Sequence, residues 1–222
     1  MIGRRRGTPA TAALIVAILI AFGIEIVTGA WTNGAILAEL GAILRYDILV
    51  EHEYWRLVSA MFLHGDGTIK GTLLHLMMNL WALFQLGTLY EIMFGTRRFL
   101  WVYFGTGIVA SITSMVVTGG PSVGASGAIF GLLGAFIFSV RRSPRWRHDR
   151  VARSVVKQCL FWAVANILVT SQIPQIDNAA HIGGLVAGLV LGFVLPQPAP
   201  PPQPPAEVVI DVRPYRGPEE DD

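Results

Sequence analysis

Ser126 and His181 are the two residues of this sequence whose types could form a nucleophile and its base. Ser126 lies in the stretch SVGASGAIFGLLGAF, and His181 lies in AAHIGGLVAGLVLG. A serine hydroxyl is a weak nucleophile until a neighbouring base accepts its proton, and histidine is the usual base. Taken singly, each residue is more typical of packing or hydrogen bonding between helices. As a pair, they indicate acyl-transfer chemistry.

A second pair of polar residues could stabilise the negative charge that such chemistry creates. His75 and Asn79 are four residues apart, so they share one face of a helix. An imidazole N–H, a side-chain amide and the backbone N–H of Ser126 would together form an oxyanion site. Gly124 and Gly127 flank the serine, and we expect them to leave room for a substrate backbone. A polar clamp between helices is the alternative role for His75 and Asn79.

Asp177 is a candidate third member of the group. It lies four residues before His181 and could orient the imidazole, as in a catalytic triad. The alternative is an interfacial or helix-capping role, and Asn178 is a second candidate for the cap. The sequence favours the capping or interfacial role for Asp177.

The composition is that of a protein embedded in a membrane. Hydrophobic residues make up 53% of the 222 residues and charged residues 14%, whereas a soluble domain has about 25% charged residues. Six apolar blocks occur, near 10–29, 72–94, 98–118, 122–140, 157–173 and 179–195. Blocks of about 20 apolar residues predict transmembrane helices. We therefore predict an all-α membrane protein built as a bundle of six transmembrane helices.

Flanking regions divide the chain into three parts. Residues 1–9 form a short basic N-terminus, 10–195 the membrane domain, and 196–222 a proline-rich, acidic tail that we expect to be disordered. Within the membrane domain, the long segment 30–71 mixes aromatic and polar residues, which suits the membrane interface. The single cysteine, Cys159, excludes an intrachain disulfide and is typical of inert packing.

Positive charges predict the orientation. Arginine clusters at 4–6 and 97–98 and a basic run at 141–157 all fall on one side of a six-span protein, which is the cytoplasmic side by the positive-inside rule. Both termini are then cytoplasmic, and the basic run is also a contact for anionic lipid. The candidate site residues lie near the outer ends of three helices, so the site is expected to open to the outer side.

Small residues predict which helices pack together. In the last helix they recur every four residues, at Ala180, Gly184, Gly188 and Gly192. In the fourth helix they occur at Gly127, Gly131 and Gly134. Such ridges let two helix backbones approach closely. Packing of one ridge on the other would bring His181 toward Ser126.

In several stretches, taken in order, the sequence resembles the rhomboid intramembrane serine proteases. They are WR at Trp55, HLMMN from His75 to Asn79, GASG from Gly124 to Gly127, AHIGG from Ala180 to Gly184, and the spaced Gly87, Glu91 and Gly95. The resemblance covers about residues 10 to 195. GASG alone would be weak, but the three site motifs together, each on a predicted helix, are specific.

The resemblance implies a fold and an activity. It implies a six-helix membrane bundle with Ser126 as nucleophile and His181 as general base, working as a dyad without Asp177. It also implies an oxyanion site of His75, Asn79 and the Ser126 amide. Substrates would be single-span membrane proteins, cut in or near their outer membrane segment, without metal, cofactor or nucleic acid. Phe130 stands where some bacterial relatives have tyrosine, and stacking of its ring on His181 is expected to survive.

Other interpretations remain open. A catalytically inactive relative that binds transmembrane helices is the main alternative. A small transporter or channel would predict internal repeats or midplane polar sites, which the sequence does not show. A structural role is expected for Trp55, Arg56 and Glu91, with Arg97 or Arg98 within reach of Glu91. Glu25, in the outer part of the first helix, has no assigned role beyond reaching the interface.

Overall fold

The structure is a computed structural model that describes residues 7–65, 67–172 and 176–196. These residues are almost entirely helical. The helices in chain order are α1 Pro9–Thr28, α2 Gly34–Glu39, α3 Arg45–Leu49, α4 Arg56–Ser59, α5 Ile69–Ala82, α6 Thr88–Phe94, α7 Thr96–Val117, α8 Ser126–Arg142, α9 Arg150–Thr170 and α10 Asn178–Val194. A π-helical turn, Leu83–Gly87, joins α5 to α6 without a break.

Four helical segments are long and apolar enough to cross a membrane. They are Pro9–Thr28, Ile69–Phe94, Thr96–Val117 and Arg150–Thr170. The other two predicted spans form α8 and α10, which have 17 residues each. A bilayer core of about 30 Å needs roughly 20 helical residues. All six predicted segments are therefore helices, but the count of six spans stays a prediction.

Helix α8 lies at the centre of the bundle. Twelve of its 17 residues are buried, and the core cluster includes its Leu132, Ala135 and Phe136. Helices α7 and α10 pack closely against it. Helix α1, by contrast, presents apolar side chains outward, such as Val27, which is 88% exposed. Apolar exposure of this kind is expected for a surface that faces lipid rather than water.

The segment between α1 and α5 is folded rather than extended. Asn33 caps α2 by accepting hydrogen bonds from Ala35 N and Ile36 N. Arg56 forms ion pairs with Asp47 at 2.8 Å and with Glu53 at 2.5 Å. It also donates to the carbonyls of Ala38 and Ala42. The prediction that Arg56 holds this segment together is confirmed.

Glu91 joins the start of α1 to the rest of the bundle. It lies on α6, is 2% exposed, and accepts from Ala10 N at 3.1 Å and Thr11 N at 2.9 Å. The hydroxyls of Thr11 and Thr96 also donate to it, each at 2.8 Å. The expected pairing with Arg97 or Arg98 is wrong, because Arg98 donates instead to Tyr90, Ser139 and Pro196. The structural role expected for Glu91 is confirmed.

Some predicted boundaries shift and some predictions fall outside the described residues. The fifth block was predicted to begin at 157, but α9 begins at Arg150, because Asp149 caps it by accepting from Ala152 N. The fourth block was predicted to begin at 122, but α8 begins at Ser126. The disorder predicted for the tail from 197 to 222 and the character of residues 1–6 lie outside the described part of the chain.

Candidate functional site

The structure places the hydroxyl of Ser126 against the imidazole of His181. Ser126 Oγ and His181 Nε2 are 2.8 Å apart. The two residues are 55 positions apart in the sequence and lie on α8 and α10. His181 is 5% exposed, while Ser126 is partly exposed. The arrangement is that of a nucleophile with an adjacent base.

Ser126 is the first residue of α8 rather than a residue one turn inside it. Ala125 is the N-cap, and Gly124 before it has φ 122°, which excludes a helix there. The N–H of Gly124 donates to Ala60 O at 2.8 Å, which ties this turn to the segment before α5. The predicted block, which began near 122, placed Ser126 about four residues inside the helix, and that position is wrong. As a first-turn residue, Ser126 has a backbone N–H that no intrahelical carbonyl accepts.

The predicted packing of the two small-residue ridges is confirmed. A Cβ added to Gly184 would collide with Gly127 O, and one added to Gly188 would collide with Gly131 O. At Gly192 it would lie 2.6 Å from Ala135 O. Backbone therefore meets backbone along three successive turns of α8 and α10. This contact sets the distance between Ser126 and His181.

The two glycines beside Ser126 do not leave the open space that was expected. A Cβ on Gly127 would lie 2.5 Å from Ala110 Cβ, so this glycine allows close packing of α7 on α8. A Cβ on Gly124 would lie 2.7 Å from His75 Nε2. The position of Gly124 requires both a positive φ and space for the close approach of His75. Only glycine satisfies both requirements.

An aromatic ring lies against the imidazole. The rings of Phe130 and His181 are stacked, with centroids 4.5 Å apart and an angle of 12° between their planes. The stacking expected from the sequence is confirmed. His181 Nδ1 is buried and has no hydrogen-bond partner among the described residues. Stacking on Phe130 therefore fixes the plane of the His181 imidazole, whose Nδ1 atom is not bonded to a carboxylate in the described part of the chain.

Asp177 caps α10 and does not hold the imidazole. Its side chain accepts from Ala180 N at 3.0 Å and from the hydroxyls of Ser114 and Thr118 on or beside α7. Burial opposes its ionisation, but these hydrogen bonds prevail and lower the pKa of Asp177 below its usual range. The capping role is confirmed and the triad role is wrong. The other candidate cap, Asn178, instead accepts from Thr170 Oγ1 at 2.7 Å.

His75 lies on the side of α5 that borders the turn before Ser126, and Asn79 lies one turn further along the same helix. The Nε2 atom of His75 borders Gly124, which is two residues from Ser126. Asn79 is 5% exposed, and its amide donates to His75 O at 3.0 Å, one turn back on the same helix. An amide has two N–H groups, so this bond leaves the second for another acceptor.

Sequence reasoning missed His64 and the partner of Glu25. His64 is fully buried, and its ring centroid lies 5.1 Å from that of His75. Its backbone N–H donates to Glu25 Oε1 at 3.0 Å, so Glu25 is buried rather than reaching the interface. Burial and the neighbouring His75 lower the pKa of His64 to about 3. A carboxyl group inside an apolar helix was a signal of function, but nothing in the sequence pointed to a partner 39 positions away.

Fold and site together define a class of protein. A helical bundle with several membrane-spanning segments holds a serine and a histidine in contact at one end, where His75 borders the turn before the serine. These features define the protein as a membrane-embedded helical protein with a serine–histidine pair. Comparison with known proteins then gives the family.

The chain belongs to the rhomboid family. The family model "Rhomboid domain" matches residues 51–198, which is about two thirds of the chain. Rhomboid protease GluP of Bacillus subtilis (strain 168) is 36% identical over 184 residues, which cover 82% of this chain and 34% of GluP. The protein is thus an all-α, multi-pass membrane protein of this family.

Relatives carry both active and inactive names. Putative rhomboid protease YdcA of Bacillus subtilis (strain 168) is 34% identical over 137 residues, covering 60% of this chain and 63% of YdcA. Inactive RHOMBOID-like protein 8 of Arabidopsis thaliana is 30% identical over 156 residues, covering 70% of this chain and 42% of that protein. The chain spans only about a third to two thirds of the length of these relatives.

Proposed function

We propose that this chain is an intramembrane serine endopeptidase in which Ser126 is the nucleophile and His181 the general base. The observation that carries the proposal is the distance of 2.8 Å between Ser126 Oγ and His181 Nε2. Family membership makes protease chemistry the expected use of that contact.

In the proposed reaction, His181 Nε2 accepts the hydroxyl proton as Ser126 Oγ attacks the peptide carbonyl. The resulting imidazolium then gives that proton to the leaving amine, and water hydrolyses the acyl-enzyme by the same route in reverse. For Nε2 to accept, the proton of the neutral ring must be on Nδ1. The stacked ring of Phe130 would hold the imidazole in plane, which is the orienting task of the aspartate in a triad.

The oxyanion would form at the N-terminus of α8. The backbone N–H of Ser126 lacks an intrahelical acceptor, and the positive end of the helix dipole favours negative charge there. We assign the second and third donors to the Asn79 amide and the His75 imidazole. Losing one such donor typically lowers kcat by about 100- to 1,000-fold. Gly127 and Gly184 support the site by setting the spacing of α8 and α10.

The proposed substrates are single-span membrane proteins, cut in or near their outer membrane segment. A helix shields its own carbonyls, so the substrate must unwind locally before Ser126 can attack. Peptides that differ only by a Gly or Pro near the cut should therefore differ in cleavage rate, with the helix-breaking version faster. Equal rates, measured by mass spectrometry of the products, would count against this substrate mechanism.

The proposed orientation has both termini in the cytoplasm and the site opening to the outer side. Reporter fusions give the test, because alkaline phosphatase is active only outside the cytoplasm. A fusion after residue 196 is expected to be inactive, and a fusion in the 118–122 turn before α8 to be active. The opposite pattern would reverse the orientation.

A fluorophosphonate probe tests the catalytic assignment without a known substrate. Labelling of the purified protein in detergent should map to Ser126 and disappear in both Ser126→Ala and His181→Ala. Ser171→Ala is the matched control, because Ser171 is exposed and its hydroxyl donates to Leu168 O on its own helix. Its labelling should equal that of the wild type.

The second candidate function is a catalytically inactive protein that binds transmembrane helices. Similarity to a relative named as inactive favours it. It predicts a folded wild-type protein that is not labelled by the probe. It also predicts that Ser126→Ala leaves binding to a transmembrane peptide unchanged.

A further inference from the structure

A cavity opens at the end of the bundle opposite Ser126, where α8 ends and α9 begins. Its volume is about 240 Å³. Four cationic side chains line it: Arg141, Arg147, Arg153 and Lys157. The apolar side chains of Val140, Val156 and Leu160 form the remainder of the lining. A basic cavity with an apolar side is suited to a ligand that is anionic at one end.

None of these cations is neutralised in the described part of the chain. The ion pairs found there both belong to Arg56, far from this cavity. Among the described residues no carboxylate lines the cavity, and nearby Asp149 accepts from Ala152 N as the cap of α9. Like charges held together repel one another, so a bound anion would stabilise the cluster.

The apolar side of the cavity continues along the outer surface of α9. Leu160, Val164 and Leu168 repeat every four residues, so they form one stripe. Their exposed fractions are 41%, 57% and 64%. The stripe runs from the basic cavity along a helix long enough to cross a membrane. A phosphate in the cavity would thus leave an attached acyl chain lying on this stripe.

We propose that this cavity is a binding site for an anionic phospholipid, whose phosphodiester contacts Arg147, Arg153 and Lys157 while an acyl chain lies along the α9 stripe. The proposal does not depend on the protease activity, because the cavity lies at the other end of α8 from Ser126. It differs from general attraction of a basic loop to a membrane, because it assigns binding to particular arginines.

The same loop provides a matched control. Arg142 lies over the ring of Phe193 at 5.0 Å, and Arg145 lies over the ring of Trp146 at 4.6 Å. Neither lines the cavity. Two double variants therefore remove equal charge from this region. The cavity variant is Arg147→Gln/Arg153→Gln, and the control variant, which leaves the cavity lining unchanged, is Arg142→Gln/Arg145→Gln. All four residues are exposed, so we expect both variants to fold.

The experiment is a titration of the delipidated full chain with phosphatidylglycerol, followed by native mass spectrometry. Each cation near a lipid headgroup contributes about 1 kcal/mol, so the cavity variant should bind roughly 10- to 30-fold more weakly than the wild type. The control variant should stay within about threefold of the wild type, because its two arginines do not line the cavity and so do not contact the headgroup. Equal weakening in both variants, or none in either, would overturn the proposal.

Two further titrations identify the source of the anion. Phosphatidylcholine carries the same phosphate with a balancing cation, and it should bind the wild type more weakly and respond little to the cavity variant. Inorganic phosphate should not displace phosphatidylglycerol at equal concentration, because it lacks the acyl chain. Displacement by phosphate, or equal binding of the two lipids, would overturn the assignment to an anionic phospholipid.

Discussion

The two ends of the helix bundle are held together by different means. At the end that contains Glu91, one buried carboxylate accepts four hydrogen bonds from the first turn of α1 and from Thr96. At the end that contains Ser126, α8 and α10 are joined by glycine backbone contacts instead. There, buried polar atoms of Glu25, His64 and His181 have no hydrogen-bond partner among the described residues.

The difference shows that polar side chains can be held in position by steric contact between helices, without structural hydrogen bonds that use up their polar atoms. Hydrogen bonds at the Glu91 end satisfy the groups that make them, so these groups are not available for other chemistry. Steric contact at the Ser126 end fixes the distance between Ser126 and His181. Their Oγ and Nε2 atoms bond each other, while His181 Nδ1 has no partner among the described residues. Unsatisfied buried polar groups are rare and costly. Half of those in the described residues belong to Glu25, His64 and His181, whereas α6 has one, on Thr88.

The first prediction concerns the Glu91 end and has the largest expected effect. Glu91→Ala should lower the free energy of unfolding by about 3–5 kcal/mol, because it leaves several buried donors without an acceptor. Thermal unfolding in detergent, followed by circular dichroism, measures the change. Glu39→Ala is the control, since Glu39 is exposed, and should change stability by less than about 0.5 kcal/mol. If Glu91→Ala were as stable as the control, hydrogen bonds to Glu91 would not be what holds that end of the bundle together.

The second prediction concerns the glycine contact. Gly184→Ala should destabilise the protein by about 1–3 kcal/mol, because the added methyl group meets the backbone of Gly127 and must push α10 away from α8. Fluorophosphonate labelling of Ser126 should fall even at temperatures where the variant stays folded.

Gly23→Ala is the matched control for that substitution. Gly23 lies inside α1 with no atom within 4 Å of an added Cβ. Alanine there should be neutral or stabilise the helix by up to about 1 kcal/mol, and labelling should not change. Full labelling in Gly184→Ala would show that close backbone contact is not what positions the pair.

The third prediction uses pH and has the smallest effect. The pKa of His64 is lowered to about 3 by burial and by His75, whereas an unfolded histidine has a pKa of about 6.5. Below pH 6.5 the unfolded state therefore binds a proton that the folded state does not. Stability should fall as the pH falls through this window, by up to about 1.4 kcal/mol per pH unit, and should not depend on His64 above it.

Chemical denaturation in detergent at pH 5 to 7.5 measures that dependence. His64→Asn should flatten the curve below pH 6.5. His52→Asn is the control, because His52 is exposed and has φ 61°, a conformation that asparagine tolerates. A wild-type curve with the same slope as that of His64→Asn would show that His64 is not buried as a neutral ring.

Much of the site could be predicted because its residues are recognisable by type and spacing. Ser126 and His181 are polar residues in apolar stretches of helix, and the small-residue repeats on both helices predict their contact. The stacking of Phe130 on His181 was expected from the family resemblance alone, and the structure shows it. Structural roles were expected for Arg56, as a residue of the interfacial segment, and for Glu91, as a charged residue near the inner end of its helix.

What the sequence could not determine is where the chain leaves a helix and which distant group each buried charge meets. Apolar periodicity continues through 122–125, so it predicted a helix start before Gly124, whereas the positive φ of that glycine and its bond to Ala60 place the start at Ser126. Arg97 and Arg98 follow Glu91 by six and seven residues, yet most of its partners come from the first turn of α1, some 80 positions away.

The sequence by itself determined the all-α membrane fold class, the family and the side chains able to do chemistry. These depend on local composition and on the spacing of residues along the chain. Only the tertiary structure decided that Asp177 also meets Ser114 and Thr118, that neighbours occupy the space beside Gly124 and Gly127, and that a buried Glu25 meets His64. Each of these depends on the path of another segment. Hydrogen bonds and close contacts are formed by atoms that meet in space, whatever their separation along the chain.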